Sequence, residues 1–143
     1  MNELGEIVQL PKIVDPRGNL TVAEQHKDVP FEVKRVYWTY DVPGGGHRGG
    51  HAHKEISEFI VALSGSFSVT LDNGREKKSF LLNHPWEGLL IGPGVWRTLE
   101  DFSSGAVCMV MASEYYDEAD YIRNYKEYRK WIKGKKNTSA AGI

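Results

Sequence analysis

His47, His51 and His53 are three of the five histidines in this 143-residue chain, and all fall in one glycine-rich stretch. His51 and His53 are two apart, so on a strand both imidazoles leave the same face. Histidine is the side chain whose ordinary pKa lies closest to neutrality. Two such rings facing one cavity can serve as base and acid, or as a pair of metal ligands. Glu58 follows at the head of the apolar run Phe59 to Leu63, and Gly65 closes that run where the chain can turn sharply. Arg17, Arg48 and Arg97 are permanently charged donors suited to a phosphate or a developing oxyanion.

The spacing of Gly45, His51, His53, Glu58 and Gly65 resembles the first motif of the cupins, which are small antiparallel β-barrels. That motif reads glycine, five residues, His-x-His, three or four residues, glutamate, six residues, glycine. In metal-binding cupins two histidines and the glutamate are joined by a histidine from a second motif. Here the second region, Ile91 to Thr98, carries Trp96 and Arg97 where that histidine is expected. A guanidinium has no lone pair and repels a divalent cation. The expectation is therefore a site with no metal and no cofactor, in which the histidines are free to move protons. Glu58 then serves to hold a histidine tautomer by hydrogen bonding.

The rest of the chain reads as the scaffold for that stretch. Ile7 to Leu10, Leu20 to Glu24, Val33 to Tyr40, Ser66 to Leu71, Lys77 to Leu82, Gly88 to Ile91, Val95 to Leu99 and Ala106 to Ala112 all read as short strands, with the histidine strand among them. Asp72, Asn73 and Gly74 mark a hairpin of the type I′ kind. Many short strands with regular turns predict an all-β barrel or sandwich. Asp117 to Trp131 differs: Tyr121, Tyr125, Tyr128 and Ile132 fall on one face at helical spacing, predicting a C-terminal α-helix packed on the barrel. Residues 1–132 are read as a single domain, and 133–143, which lack periodicity, as a frayed tail.

Composition narrows the function classes. A formal net charge of −1 provides no basic field for nucleic acid and no polybasic face for a membrane. The apolar runs are too short to span a bilayer, and the first residues lack the basic start of a signal peptide. Cys108 is the single cysteine, so no internal disulfide forms, and its apolar setting predicts a buried thiol. A cytoplasmic location is expected.

A more specific likeness covers nearly the whole chain, from about Ile7 to about Ile132. Pro16 to Leu20, Val33 to Tyr37, Arg48 to Lys54, Ile91 to Trp96 and Ala112 to Arg123 resemble the dTDP-4-keto-6-deoxyglucose 3,4-ketoisomerases. The Arg-Gly-x-His-Ala-His-Lys block and the Tyr-Tyr-Asp-Glu-x-Asp-Tyr-Ile-Arg block are not general cupin features. The resemblance implies metal-independent homodimers that supply precursors of 3-amino-3,6-dideoxysugars for surface polysaccharides. It implies His51 as the base that removes the C3 proton and His53 as its partner for transfer at oxygen. Tyr37 joins them in the catalytic set, and Arg48, Arg17, Arg97 and Arg123 are implied to bind substrate. Two positions pull apart: Arg97 fits the branch yielding the gluco-configured 3-ketosugar, whereas Arg17 fits the galacto branch. Position 58 is often glutamine in this family.

Other readings stand beside this one. A dTDP-sugar 3,5-epimerase uses the same α-proton chemistry, although the Tyr-Tyr-Asp-Glu block argues against it. A metal-dependent cupin enzyme and a non-catalytic sugar-binding cupin are the further alternatives. On the structural side, the tyrosine stripe reads as packing, and a helical Arg123 reads as a solvated residue unless the family likeness is applied.

Overall fold

The structure is a computed structural model that describes residues 4–141. In chain order the described strands are β1 (Glu6–Gln9), β2 (Lys12–Ile13), β3 (Leu20–Thr21), β4 (Arg35–Thr39), β5 (Arg48–His53) and β6 (Glu58–Ser64). They continue with β7 (Phe67–Asp72), β8 (Lys77–Leu82), β9 (Glu87–Ile91), β10 (Trp96–Glu100), β11 (Val107–Ala112) and β12 (Tyr121–Ile122). A single turn of 3₁₀-helix, Glu118–Asp120, precedes β12, and α1 spans Tyr125–Ala141.

Two five-stranded antiparallel sheets face each other. One has the order β1-β9-β6-β11-β4 and the other β12-β5-β10-β7-β8, while β2 and β3 form a separate small hairpin. The period-2 alternation explains the core between them. Ile60, Ala62, Leu89, Ile91, Cys108 and Val110 from the first sheet meet Phe67, Val69, Leu71 and Leu99 from the second. The unbroken apolar run of β6 has a physical cause: Phe59 and Val61 are buried on the opposite face, against Leu10, Val29 and Met111.

Gly65 adopts φ +69, and a Cβ there would lie 2.5 Å from the Ser103 hydroxyl and 2.9 Å from the Ala106 backbone. Both the backbone angle and the close approach require glycine. The hairpin between β7 and β8 forms, but not as a type I′ turn. Only Gly74 has a positive φ, and the Asn73 side chain accepts from the Arg75 and Glu76 amides, closing a four-residue connection.

The C-terminal helix starts later than its side-chain spacing predicts. Asp117 caps the 3₁₀ turn by accepting from the Ala119 amide. Tyr121 and Ile122 then pair with His53 and Ala52 of β5, so the chain is held extended there. Asn124, which accepts from the Glu127 amide, caps α1 instead. Tyr121 is thus a strand residue beside the histidines rather than part of a helical stripe. Tyr128 does pack as expected: it is fully buried with Ala52, Trp96 and Ile122, and its hydroxyl donates to the Gly94 carbonyl at 2.8 Å. The helix runs on to Ala141, through most of the segment expected to be a tail, and Gly142 and Ile143 lie outside the described residues. Among the described residues no helix is long and apolar enough to cross a membrane.

Candidate active site

The mouth between the two sheets opens into a cavity of about 470 Å³. Each sheet contributes to its wall. β4 and β6 bring Tyr37 and Glu58, while β5 and β10 bring His51 and Arg97. Strand register fixes the pairing across the second sheet, where Arg97 is the direct partner of His51. Tyr37, in turn, lies opposite Val110, which lies opposite Ile60.

Glu58 is the hub. It is 1% exposed, and both oxygens are occupied: Arg97 Nη1 donates to Oε1 at 2.7 Å and the Tyr37 hydroxyl donates to Oε2 at 2.6 Å. His53 Nε2 lies 3.4 Å from Oε2, close enough for attraction but without hydrogen-bond geometry. Burial alone would push the Glu58 carboxyl up. The neighbouring His53, the Arg97 charge and the Tyr37 hydroxyl outweigh it and hold Glu58 below the usual carboxylate range. Tyr37 moves the other way, because burial and then the Glu58 charge disfavour a phenolate.

His51 contributes the free nitrogen. Its Nε2 is buried and has no hydrogen-bond partner. Its pKa is lowered to about 3, first by burial and then by the Arg97 guanidinium. The ring is therefore neutral at ordinary pH, with a lone pair available. His51 and His53 meet edge to face, 4.9 Å between centroids, and Tyr121 packs on both.

Arginines line the rest of the wall. Arg35, Arg48, Arg97 and Arg123 all face the cavity, and Glu58 is the one carboxylate among its lining residues. Arg35 stacks on Tyr37 at 4.3 Å and Arg123 on Tyr121 at 4.1 Å. Arg123 is also held by two hydrogen bonds to Glu118, at 2.8 and 2.9 Å. Cys108 lines the cavity and is buried, and burial followed by the Glu58 charge pushes its thiol up to about 12. Such a thiol is a poor nucleophile.

The structure thus gathers His51, Tyr37, Arg48, Arg97 and Arg123 around one cavity. His53 sits one layer behind, 1% exposed and outside the lining, with its Nε2 3.4 Å from the lining residue Glu58. Arg17 is not brought to the cavity. It lies on the connection between β2 and β3, paired with Asp15 and almost fully exposed. Sequence reasoning missed Arg35, although it lies two residues before Tyr37 and so shares its face of β4. Asp120 was also missed, inside the very block that carried the family likeness. It is 8% exposed and binds His53 Nδ1 at 3.0 Å.

Cupins commonly hold a metal ion, and His51, His53 and Glu58 place three donor atoms within 4.8 Å of one another. The remaining donor set does not suit a resident dication. Both Glu58 oxygens already accept strong hydrogen bonds, and Arg97 brings a fixed positive charge to the place of a fourth ligand.

A two-sheet barrel with proton-carrying groups and arginines around its cavity defines a cupin equipped for acid–base chemistry on a small anionic ligand. A family model described as "FdtA: WxcM-like, C-terminal" matches residues 4–133, and the chain belongs to that family. It is 46% identical over 127 residues to a TDP-4-oxo-6-deoxy-alpha-D-glucose-3,4-oxoisomerase from Aneurinibacillus thermoaerophilus, covering 89% of this chain and 91% of the relative. Among solved structures it is similar to QdtA, a sugar 3,4-ketoisomerase from Thermoanaerobacterium thermosaccharolyticum in complex with TDP. That match has a TM-score of 0.90 and 42% identity, covering 94% of this chain and 98% of the other. A TDP-quinovose 3,4-ketoisomerase from Campylobacter jejuni matches with a TM-score of 0.84 and 43% identity, covering 88% and 97%. An epimerase from Mycobacterium tuberculosis shares the fold, at 16% identity and a TM-score of 0.74 over 85% of this chain and 69% of that one.

Proposed function

We propose that the protein is a 3,4-ketoisomerase that converts dTDP-4-keto-6-deoxy-D-glucose to a dTDP-3-keto-6-deoxyhexose. The observation that carries the reading is the free, neutral His51 Nε2 at the wall of a cavity lined by four arginines. The relatives named above support the substrate class. So does a structure of a His-to-Asn variant of the Thermoanaerobacterium enzyme in complex with TDP-4-keto-6-deoxyglucose.

The chemistry follows from these positions. The C4 ketone acidifies the hydrogen on C3. His51 Nε2 takes that proton and an enediolate forms. Arg97 has an unpartnered Nε–H, a donor that can stabilise the negative oxygen. His51 then returns its proton to C4. The proton on O3 leaves through the Tyr37–Glu58 pair and reappears on O4. One hydrogen has moved from C3 to C4 and one proton from O3 to O4, so the formula is unchanged and no electron leaves the sugar. Arg48, Arg35 and Arg123 suit the diphosphate, whose charge the nearly neutral chain must meet locally.

The protein is read as a cytoplasmic homodimer in the formation of 3-amino-3,6-dideoxysugars. The exposed apolar residues Ile13, Val14 and Leu20 on the small hairpin, and Val36 and Trp38 on edge strand β4, support a covered surface. Incubating the protein with the 4-keto sugar nucleotide in deuterated water, followed by NMR, tests the activity. A new 3-ketone is expected, with deuterium at C4 of the product and at C3 of recovered substrate and none at C5, and a parallel run in ordinary water gives the H4 couplings that read the C4 configuration Arg17 and Arg97 leave divided. Label at C5 would mean an epimerase, and an unchanged sugar a binding protein.

A further inference from the structure

The mechanism above needs a place for the hydroxyl proton while it travels from O3 to O4. Tyr37 and Glu58 touch the cavity but cannot store it well: the Tyr37 hydroxyl already donates to Glu58 Oε2, and the Arg97 guanidinium at Oε1 favours the ionised carboxylate. Behind them lies His53, with a carboxylate at each ring nitrogen. Nε2 faces Glu58 Oε2 at 3.4 Å, and Nδ1 meets Asp120 Oδ2 at 3.0 Å.

Asp120 is held in a single role. Its Oδ1 accepts from the Glu55 amide at 2.8 Å, and its Oδ2 from the Ile56 amide at 3.3 Å as well as meeting His53. Both backbone donors come from the loop between β5 and β6, which fixes the carboxylate beneath the ring. A carboxylate surrounded by N–H groups is an acceptor only. The proton on that side of His53 therefore sits on Nδ1, and Nε2, buried with no hydrogen-bond partner, is the nitrogen turned toward Glu58.

We propose that Asp120 is a positioning residue for the isomerisation: it pins the His53 proton to Nδ1 and so leaves Nε2 as the nitrogen that receives the substrate's hydroxyl proton through Tyr37 and Glu58. The proton leaves O3 and is held on Nε2, between the Glu58 and Asp120 carboxylates. It returns along the same groups to O4. No proton is gained or lost over the cycle. This inference rests on the ketoisomerase reading, and it separates the two histidines by position. His51 works at carbon from the cavity wall, while His53 works at oxygen from one layer behind.

The test replaces the carboxylate and reads the tautomer directly. In Asp120→Asn the Oδ1 acceptor for Glu55 remains, but an amide N–H now points at Nδ1 and drives the His53 proton to Nε2. Long-range ¹H–¹⁵N correlation on labelled wild-type protein should show His53 protonated at Nδ1 and bare at Nε2, and Asp120→Asn should reverse the two. In the same variant, formation of the 3-ketosugar should fall about 10²–10⁴-fold, while TDP affinity by calorimetry stays near wild type. Exchange of the C3 hydrogen with deuterated water should persist, because His51 is untouched. Asp120→Glu, which keeps a carboxylate, should recover part of the lost rate. A wild-type spectrum with a proton on His53 Nε2, in either the single or the double protonation state, would overturn the proposal, whether or not the variant folds. So would an Asp120→Asn protein that forms product at the wild-type rate, or one that loses exchange and turnover together. If the wild-type protein leaves the sugar unchanged, the ketoisomerase reading fails by itself, and the tautomer spectrum still reports whether Asp120 orients His53.

Discussion

Replacing Arg97 with methionine should unmask the charge at the centre of the barrel. Arg97 and Glu58 are each 1% exposed and joined at 2.7 Å. Removing one partner of a buried ion pair leaves the other charge uncompensated and costs roughly 3–5 kcal/mol. Glu58 keeps its hydrogen bond from Tyr37 at 2.6 Å, so the low end, about 3 kcal/mol, is expected. For a chain of this length that is a fall in Tm of roughly 10 °C. The pH dependence has a definite sign. In the wild type the Glu58 pKa is depressed, so its contribution is present above the unfolded carboxylate pKa, about 4.3. It is lost only as pH falls through the lower folded value. In Arg97→Met burial is no longer offset by the guanidinium, and the Glu58 pKa rises. The variant's penalty is then full at neutral pH and shrinks as acid protonates the carboxyl. Urea denaturation at about pH 7.5 and about pH 5 should therefore show a gap to wild type that is wider at the higher pH. Adding Glu58→Gln, which removes the uncompensated charge, should restore most of the stability. A loss below about 1 kcal/mol, the range of an exposed pair, would refute the reasoning. A gap independent of pH, or one that Glu58→Gln leaves in place, would do so equally.

Three further outcomes are expected. Extensive chelation should leave turnover unchanged, because the Glu58 oxygens are committed to Arg97 and Tyr37; loss of activity restored by a divalent ion would reverse that assignment. Arg48→Ala and Arg123→Ala should each weaken TDP binding by calorimetry, with Arg123 the smaller effect because Glu118 already satisfies its guanidinium. Unaltered affinity in both would remove them from the diphosphate site. Sedimentation at micromolar concentration should give twice the chain mass, and a fully active monomer would rule out the dimer.

The barrel was legible because its signals are local. Alternation along Phe67 to Asp72 and Lys77 to Leu82, and the apolar run of β6, needed no tertiary knowledge to read as strands. The pairing of His51, His53 and Glu58 was legible because one motif encodes all three. What the sequence hid was decided by competition between neighbours. The tyrosine spacing from Tyr121 to Ile132 fits a helix, but capping by Asp117 and pairing of Tyr121 with His53 keep the first part extended. Asp120 looked like one acid in an acidic segment, and only the folded chain shows it buried under His53. His53 itself read as a partner of His51 in the cavity because i and i+2 share a face. In the fold His53 lies against Glu58 and Tyr121, contacts that no spacing reports. Arg17 has the charge of a ligand but sits on an outlying hairpin, paired with Asp15.

The central claim is that His51 Nε2 removes the C3 proton, and one measurement tests it most directly. His51→Asn keeps a side chain of similar reach and some hydrogen bonding but cannot act as a base near neutral pH. Exchange of the C3 hydrogen of TDP-4-keto-6-deoxyglucose with deuterated water can be followed by NMR, alongside TDP binding by calorimetry. The expected result is near-normal binding with exchange slowed about 10²–10⁴-fold, since general-base assistance and uniform binding are separable. A folded His51→Asn protein that binds the sugar nucleotide and still exchanges that hydrogen at the wild-type rate would contradict the account.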